Sequence, residues 1–235
     1  MKPTRALVTG GTRGIGEATA SALLEAGYEV FVSGTTPDGH GPKGSSYLCC
    51  DFEDSSALSC FVDTVAGLDV GVLVNNAGIN KIGSFEDYTM EDFDRIQRVN
   101  VTAPYRICQA AVSGMRKGRF GRIVNITSVF GVVSKAERAA YSTSKFALLG
   151  LSRALALEVA ADNVLVNCVA PGFVDTELTR RILGAKGIET IIASVPMGRL
   201  ALPGEIARFV RFLVSEDNSY MTGQHVIVDG GYTSA

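Results

Sequence analysis

Seven short runs rich in β-branched and apolar residues recur along the chain, separated by longer segments with helical periodicity. The runs are Ala6–Thr9, Val30–Val32, Ser46–Cys50, Leu73–Val74 with its flanks, Arg122–Ile126, Leu165–Val169 and Val226–Val228. Helical periods fall at Gly14–Leu24 and near Ser55–Val65, Met90–Met115, Ala139–Val159 and Gly204–Val214. Continuous apolar strands that alternate with helices fit a parallel sheet covered on both faces. The pattern therefore predicts an α/β fold, a doubly wound domain with a seven-stranded parallel sheet. No linker or internal repeat divides the 235 residues, so residues 1–235 read as a single domain.

One stretch breaks the alternation. Gly34 to Ser45 reads GTTPDGHGPKGS, and its glycines and prolines forbid a persistent helix. The connection between the second and third strands is expected to be a loop, where such folds usually place a helix.

Composition excludes several classes. Hydrophobic residues make up 46% and charged residues 20%, an ordinary globular balance. The net charge of −2 offers no basic excess for nucleic acid or for an anionic membrane. No run of apolar residues is long enough to span a bilayer, and Met1 to Arg5 does not open a signal-peptide core. Cysteines stand at Cys49, Cys50, Cys60, Cys108 and Cys168, an odd number with no C-x-x-C, which fits a reducing, cytoplasmic compartment. His40 and His225 are the only histidines, too few for a histidine-based metal centre, and no metal is expected.

Directly after the first strand comes Thr9-Gly-Gly-Thr-Arg-Gly-Ile-Gly16, which opens a helix. Gly10 permits a tight turn, Gly14 lets backbone approach a pyrophosphate, and Gly16 allows close helix–strand packing. Free N–H groups and the helix dipole then favour an anion at that end. Thr12, Arg13 and Ile15 belong to the same loop. This is the signature of a Rossmann-type dinucleotide site. At the end of the second strand the residues are Ser33-Gly34-Thr35-Thr36, with no carboxylate to accept from an adenosine ribose. Arg13 can pair with a 2′-phosphate, so NADP(H) is favoured and NAD(H) remains the alternative.

Asn75-Asn-Ala-Gly78 follows the fourth strand and brings Asn76, Ala77 and Gly78 to the edge where ligands of open parallel sheets lie. Tyr141 and Lys145 are four residues apart and share a helix face, with Ser128 upstream just past the fifth strand. A tyrosine with an ordinary pKa of ~10 is a poor acid–base catalyst. A neighbouring ammonium lowers that value, so Lys145 is expected to depress Tyr141. The Ser128 hydroxyl can hydrogen-bond a substrate carbonyl.

Taken in order, these motifs resemble the short-chain dehydrogenase/reductase family over nearly the whole chain: the loop at 9–16, Asn-Asn-Ala-Gly at 75–78, Asn100, Ser128, Tyr141 with Lys145, and Pro171-Gly172. The resemblance implies a catalytic tetrad of Asn100, Ser128, Tyr141 and Lys145, with Asn100 holding a water in a proton relay. An asparagine inside the Met90–Met115 segment suits this, because it disfavours a regular turn. The resemblance further implies Asp51 and Phe52 beside an adenine, Pro171 and Gly172 near a nicotinamide, and Val174 and Thr176 at its carboxamide. Tyr141 and Lys145 would also touch the cofactor.

Within the family the phrases Gly121-Arg-Ile123, Ala170-Pro-Gly-Phe-Val-x-Thr176, Val195-Pro196 with Gly198-Arg-Leu200, and the ending from Thr222-Gly223 to Gly231 are most similar to 3-oxoacyl-[acyl-carrier-protein] reductases. That resemblance implies ketone reduction on an acyl thioester and a place in fatty acid biosynthesis. Arg119 and Arg180 then read as a basic patch for an acidic acyl carrier protein. A sugar, polyol or other secondary-alcohol dehydrogenase remains an alternative, as does a non-catalytic cofactor-binding scaffold; a methyltransferase has no use for Tyr141 and Lys145. The loop at 34–45 opens the adenosine side, where His40 or Lys43 can supplement Arg13. The span from Glu177 to Ser194 reads as a short, mostly apolar substrate lid. The segments Met90–Met115 and Ala139–Val159 carry apolar residues on more than one face, as interface helices of a homotetramer would.

Overall fold

The computed structural model of the chain describes residues 4–235. Met1–Pro3, part of the amino-terminal segment read above as lacking a signal-peptide core, lie outside the described residues. Strand β1 (Arg5–Val8) leads through the glycine turn into α1 (Gly14–Glu25) and back to β2 (Glu29–Gly34). Next come β3 (Ser46–Cys49), α2 (Ser55–Leu68), β4 (Val72–Asn75), α3 (Met90–Gln97) and α4 (Ala103–Gly118). The chain continues with β5 (Gly121–Ile126), α5 (Ala139–Val159), β6 (Val164–Pro171), α6 (Glu177–Ser194), α7 (Pro203–Val214) and β7 (His225–Val228). The seven strands form one sheet in the order β3-β2-β1-β4-β5-β6-β7, and every pair is parallel.

The period of two along each strand divides the core. Leu7, Leu73, Ile123 and Val166 face α2, α4 and α5, where Phe61, Ile107, Met115 and Val159 are buried. Their neighbours Ala6, Val8, Val72, Val74 and Val124 face the opposite layer, where α1 contributes Leu23 and α7 contributes Ile206 and Val210. A one-residue slip in any strand would exchange these two layers, so burial on both faces sets the register.

Helix starts follow from local chemistry. The Asp54 carboxylate accepts from Ser56 N at 2.7 Å and Ala57 N at 3.1 Å to cap α2. Thr89 caps α3, Thr176 caps α6, and Pro203 is the first residue of α7. Between α3 and α4 the turn Arg98–Thr102 widens to a π-helix that contains Asn100, in line with the irregular turn expected there. The Gly34–Ser45 connection carries no helix, also as expected. It lies flat because Gly39 and Gly41 lack side chains: a Cβ would sit 2.5 Å from the Tyr47 hydroxyl and 2.4 Å from Val32 Cγ2 respectively. Tyr47 also donates to Thr36 O at 2.6 Å. The span Glu177–Ser194, read above as a short lid, is helical with a break at Gly184 (φ 63°, ψ 178°).

All strands point the same way, so their carboxyl ends line one edge. The order reverses at β1, whose connections leave toward β2 on one side and whose other neighbour is β4. A crevice opens at such a switch point, and there the glycine turn and Asn75–Gly78 meet.

Candidate active site

A cavity of about 820 Å³ runs along this carboxyl edge. Every cofactor-side residue of the sequence reading borders it except Gly16, from Gly10 and Thr12 through Thr35, Asp51 and Phe52 to Thr176. Ser128, Tyr141 and Lys145 border it too, while Asn100 lies just behind. Of the two supplementary residues, His40 reaches the cavity and Lys43 does not. The loop also brings Asp38 to the wall, a carboxylate the reading missed because it stands beyond the end of the strand.

The geometry of the glycine turn fits a dinucleotide pyrophosphate. Gly14 adopts φ 57°, a left-handed conformation that favours glycine. A Cβ on Gly16 would sit 2.2 Å from Gly10 O, so only glycine lets α1 start this close to β1. No side chain caps α1, which leaves its first N–H groups free for an anion. Asn76 fastens the turn from behind by donating to Thr9 O at 2.9 Å and Gly10 O at 3.0 Å. Thr9 Oγ1 in turn accepts from Asn76 N and Ala77 N. Ser33, quoted above only as the end of the second strand, accepts from Gly10 N at 3.2 Å. Arg13 lies 3.9 Å from Glu177 across the mouth, and both side chains are well exposed.

Ser128 is held extended at the start of a short 3-10 turn, where its hydroxyl accepts from Phe130 N at 3.2 Å. Tyr141 stands edge-on to Phe130, with ring centroids 6.4 Å apart. Lys145, four residues on, donates to Ile126 O at 2.9 Å, and its ammonium is 5.5 Å from the Tyr141 ring centroid. Asn100 Oδ1 accepts from Ile79 N, and its Nδ2 donates to Ile79 O and to Ser144 Oγ. Gly78 keeps the space between these groups open: a Cβ there would sit 3.3 Å from Asn100 Oδ1 and 3.6 Å from Lys145 Nζ.

The pKa expectation for Tyr141 is corrected. Burial raises its phenol above the ordinary value, and only the Ser128 hydroxyl and the Arg138 charge pull it partly back. Lys145 does not supply the lowering, because it too is stripped of water. Burial brings its ammonium down to about 8. The expected basic patch is also corrected. Arg119 lies beside the amino end of β5, the edge opposite the cavity, and pairs with Asp162. Arg180 folds onto Asp175 in a bidentate pair with contacts of 2.7 and 2.8 Å. The two arginines share no surface.

A glycine cradle at a helix start, joined to a serine–tyrosine–lysine cluster at the same sheet edge, defines a dinucleotide-dependent oxidoreductase. A family model described as enoyl-(acyl carrier protein) reductase matches residues 10–233. The chain belongs to this family, within the short-chain dehydrogenases/reductases. An acetoacetyl-CoA reductase of Shinella zoogloeoides is 39% identical, with 96% of this chain and 97% of that protein aligned. The aldohexose dehydrogenase of Thermoplasma acidophilum superimposes with a TM-score of 0.92 at 31% identity, covering 100% of this chain and 95% of that one. A structure of ElxO with NADP bound gives 0.90 at 28% identity, with both chains covered in full.

Proposed function

We propose that the chain is an NADP(H)-dependent reductase that converts a 3-oxoacyl thioester to the 3-hydroxyacyl thioester. The observation that carries this reading is the half-buried Tyr141, its phenol held above its ordinary pKa, beside Ser128 on the wall of a dinucleotide-sized cavity. The likeness over nearly its full length to a reductase of acetoacetyl-CoA, itself a 3-oxoacyl thioester, supports the substrate class. Arg13 and His40 on the cavity wall, and a relative solved with NADP, support the phosphorylated cofactor; Asp38 is the feature that favours NAD(H).

When bound, the cofactor supplies the hydride to the ketone carbon. Ser128 orients the ketone oxygen, and Tyr141 donates its proton to that oxygen as the alkoxide forms. Lys145 holds the ribose and passes a proton on toward Tyr141. Asn100 ties the widened turn to Ile79 and Ser144 and holds the water of the relay. The first test is the initial rate of NADPH consumption with an acetoacetyl thioester, with NADH run in parallel. Fast, NADPH-selective turnover is expected. Turnover confined to polyols or keto-sugars would replace this substrate class.

The same reading takes the active form to be a homotetramer. Tyr105 on α4 with Phe146 and Leu157 on α5, and Phe209 and Phe212 on α7 with Ile227 on β7, give two exposed apolar faces. Light scattering is expected to return four times the 24.8 kDa chain mass, and a monomer would refute the assembly. A cytoplasmic location is supported by the five free cysteines. Among the described residues, no helix is long and apolar enough to cross a membrane.

A further inference from the structure

Arg138 is buried without an ion-pair partner, although the charge of the adjoining Glu137 acts on it. It is 7% exposed, and among the described residues no carboxylate lies within ion-pair distance. Its Nε is enclosed with no hydrogen-bond partner, and its Nη1 donates only to the adjoining carbonyl of Glu137 at 3.2 Å. A guanidinium carries five N–H donors, so most of its capacity is unused. Burying such a group unpaired is costly, and the cost persists only where something else offsets it.

Its position indicates what that is. Arg138 precedes the first turn of α5, three residues before Tyr141, and no acidic side chain occupies that turn. The preceding Glu137 is held at φ 65°, an unusual conformation for a side-chain-bearing residue. The guanidinium lies 5.8 Å from the Phe130 ring. Phe130 stacks edge-on against both Tyr141 and Phe173, and Phe173 against Tyr232. The guanidinium, the positive end of α5 and the Tyr141 ring thus adjoin one aromatic wall; Arg138 does not itself line the cavity, and Tyr141 is the lining residue its charge reaches. That wall grows from the segments after β5 and β6 that also carry Ser128 and Gly172.

We propose that Arg138 is a specificity-determining residue that donates hydrogen bonds to an acyl oxygen of the substrate, at the carbon two positions from the ketone carbon. The proposal rests on the reading of Tyr141 as the proton donor to a ketone. A thioester carbonyl and a free carboxylate both present such an oxygen, and the planar fork of arginine matches either.

The test compares kcat/KM for the N-acetylcysteamine thioester of acetoacetate, for acetoacetate itself and for 2-pentanone, which lacks the acyl oxygen. The wild-type chain is expected to favour at least one acyl substrate over 2-pentanone. Arg138→Met, which keeps the stem and removes the donors, is expected to lower that preference roughly 10- to 100-fold, the worth of a hydrogen bond to a charged group. Arg138→Lys, which keeps the charge without the fork, is expected to fall between the two. A thermal melt and an NADPH titration establish that each variant is folded and loads cofactor. If folded variants keep the wild-type ratio, the proposal is overturned even when the thioester is reduced quickly. If only acetoacetate is reduced and its preference depends on Arg138, the proposal stands and the thioester reading falls.

Discussion

Tyr141→Phe is expected to leave the fold intact and to lower turnover at least ~10²-fold, the lower end for loss of a general acid. Phenylalanine retains the ring and its edge-on contact with Phe130. It lacks only the hydroxyl. Because burial raises the phenol above its ordinary value, Tyr141 is protonated throughout the neutral range and poised to donate. Ketone reduction by the wild-type chain is therefore expected to be flat across neutral pH and to fall only in alkali, once the phenol ionises. Alcohol oxidation, which needs the phenolate as base, should instead climb with pH. Steady-state rates in both directions, with NADP(H) binding measured by fluorescence, check the assignment. A variant that binds cofactor and turns over within a few-fold of wild type would falsify the role of Tyr141.

Lys145→Met is expected to abolish turnover yet stabilise the unliganded chain at neutral pH. Lys145 is 4% exposed, and burial has brought its ammonium from 10.5 to about 8. Between those two values the unfolded chain binds the proton and the folded chain does not, so stability from this group rises with pH through that window. Below about 8 both states carry the charge and the folded chain bears the whole desolvation cost. That cost is on the order of 3 kcal/mol at 1.36 kcal/mol per unit. The lost hydrogen bond to Ile126 O offsets ~1–2 kcal/mol of the gain. A rise of a few degrees in the melting midpoint at pH 7 follows. At pH 10.5 the advantage should vanish, because the wild-type lysine is then neutral in the folded chain. An unchanged or lower midpoint at pH 7 would show that the ammonium is not an electrostatic burden there.

The sheet and its cradle were legible in the residues because their causes are local. A continuous apolar run between glycine-rich turns reads as a buried strand, and all seven strands appear where those runs lie. The loop at 34–45 was legible for the same reason, since proline and glycine act on their own backbone. The helix at Glu177–Ser194 was not, because only Ile191 on it is buried. A helix that borders a cavity and meets the core so little shows no apolar stripe.

The site divides along the same line. Tyr141 and Lys145 are linked by helical spacing alone, and Gly14 by the demands of one turn, so the order of residues determines them. The protonation states are another matter. The pKa of Tyr141 moved opposite to the expectation because burial is a sum over many distant neighbours, and the one charged neighbour that spacing could name, Lys145, supplies no lowering to set against it. Arg119 and Arg180 looked alike in the sequence, yet the direction of β5 and β6 sends them to different edges, each to its own carboxylate. Arg138 drew no notice in the sequence, and only the packing of Phe130, Tyr141 and their aromatic neighbours leaves it buried and without an ion pair. The sequence by itself determined the strands, the turns and the residues of the candidate site, because these follow from short-range backbone chemistry. The tertiary structure decided which groups burial perturbs, which are paired and which line the cavity, because solvation and contact belong to the folded chain as a whole.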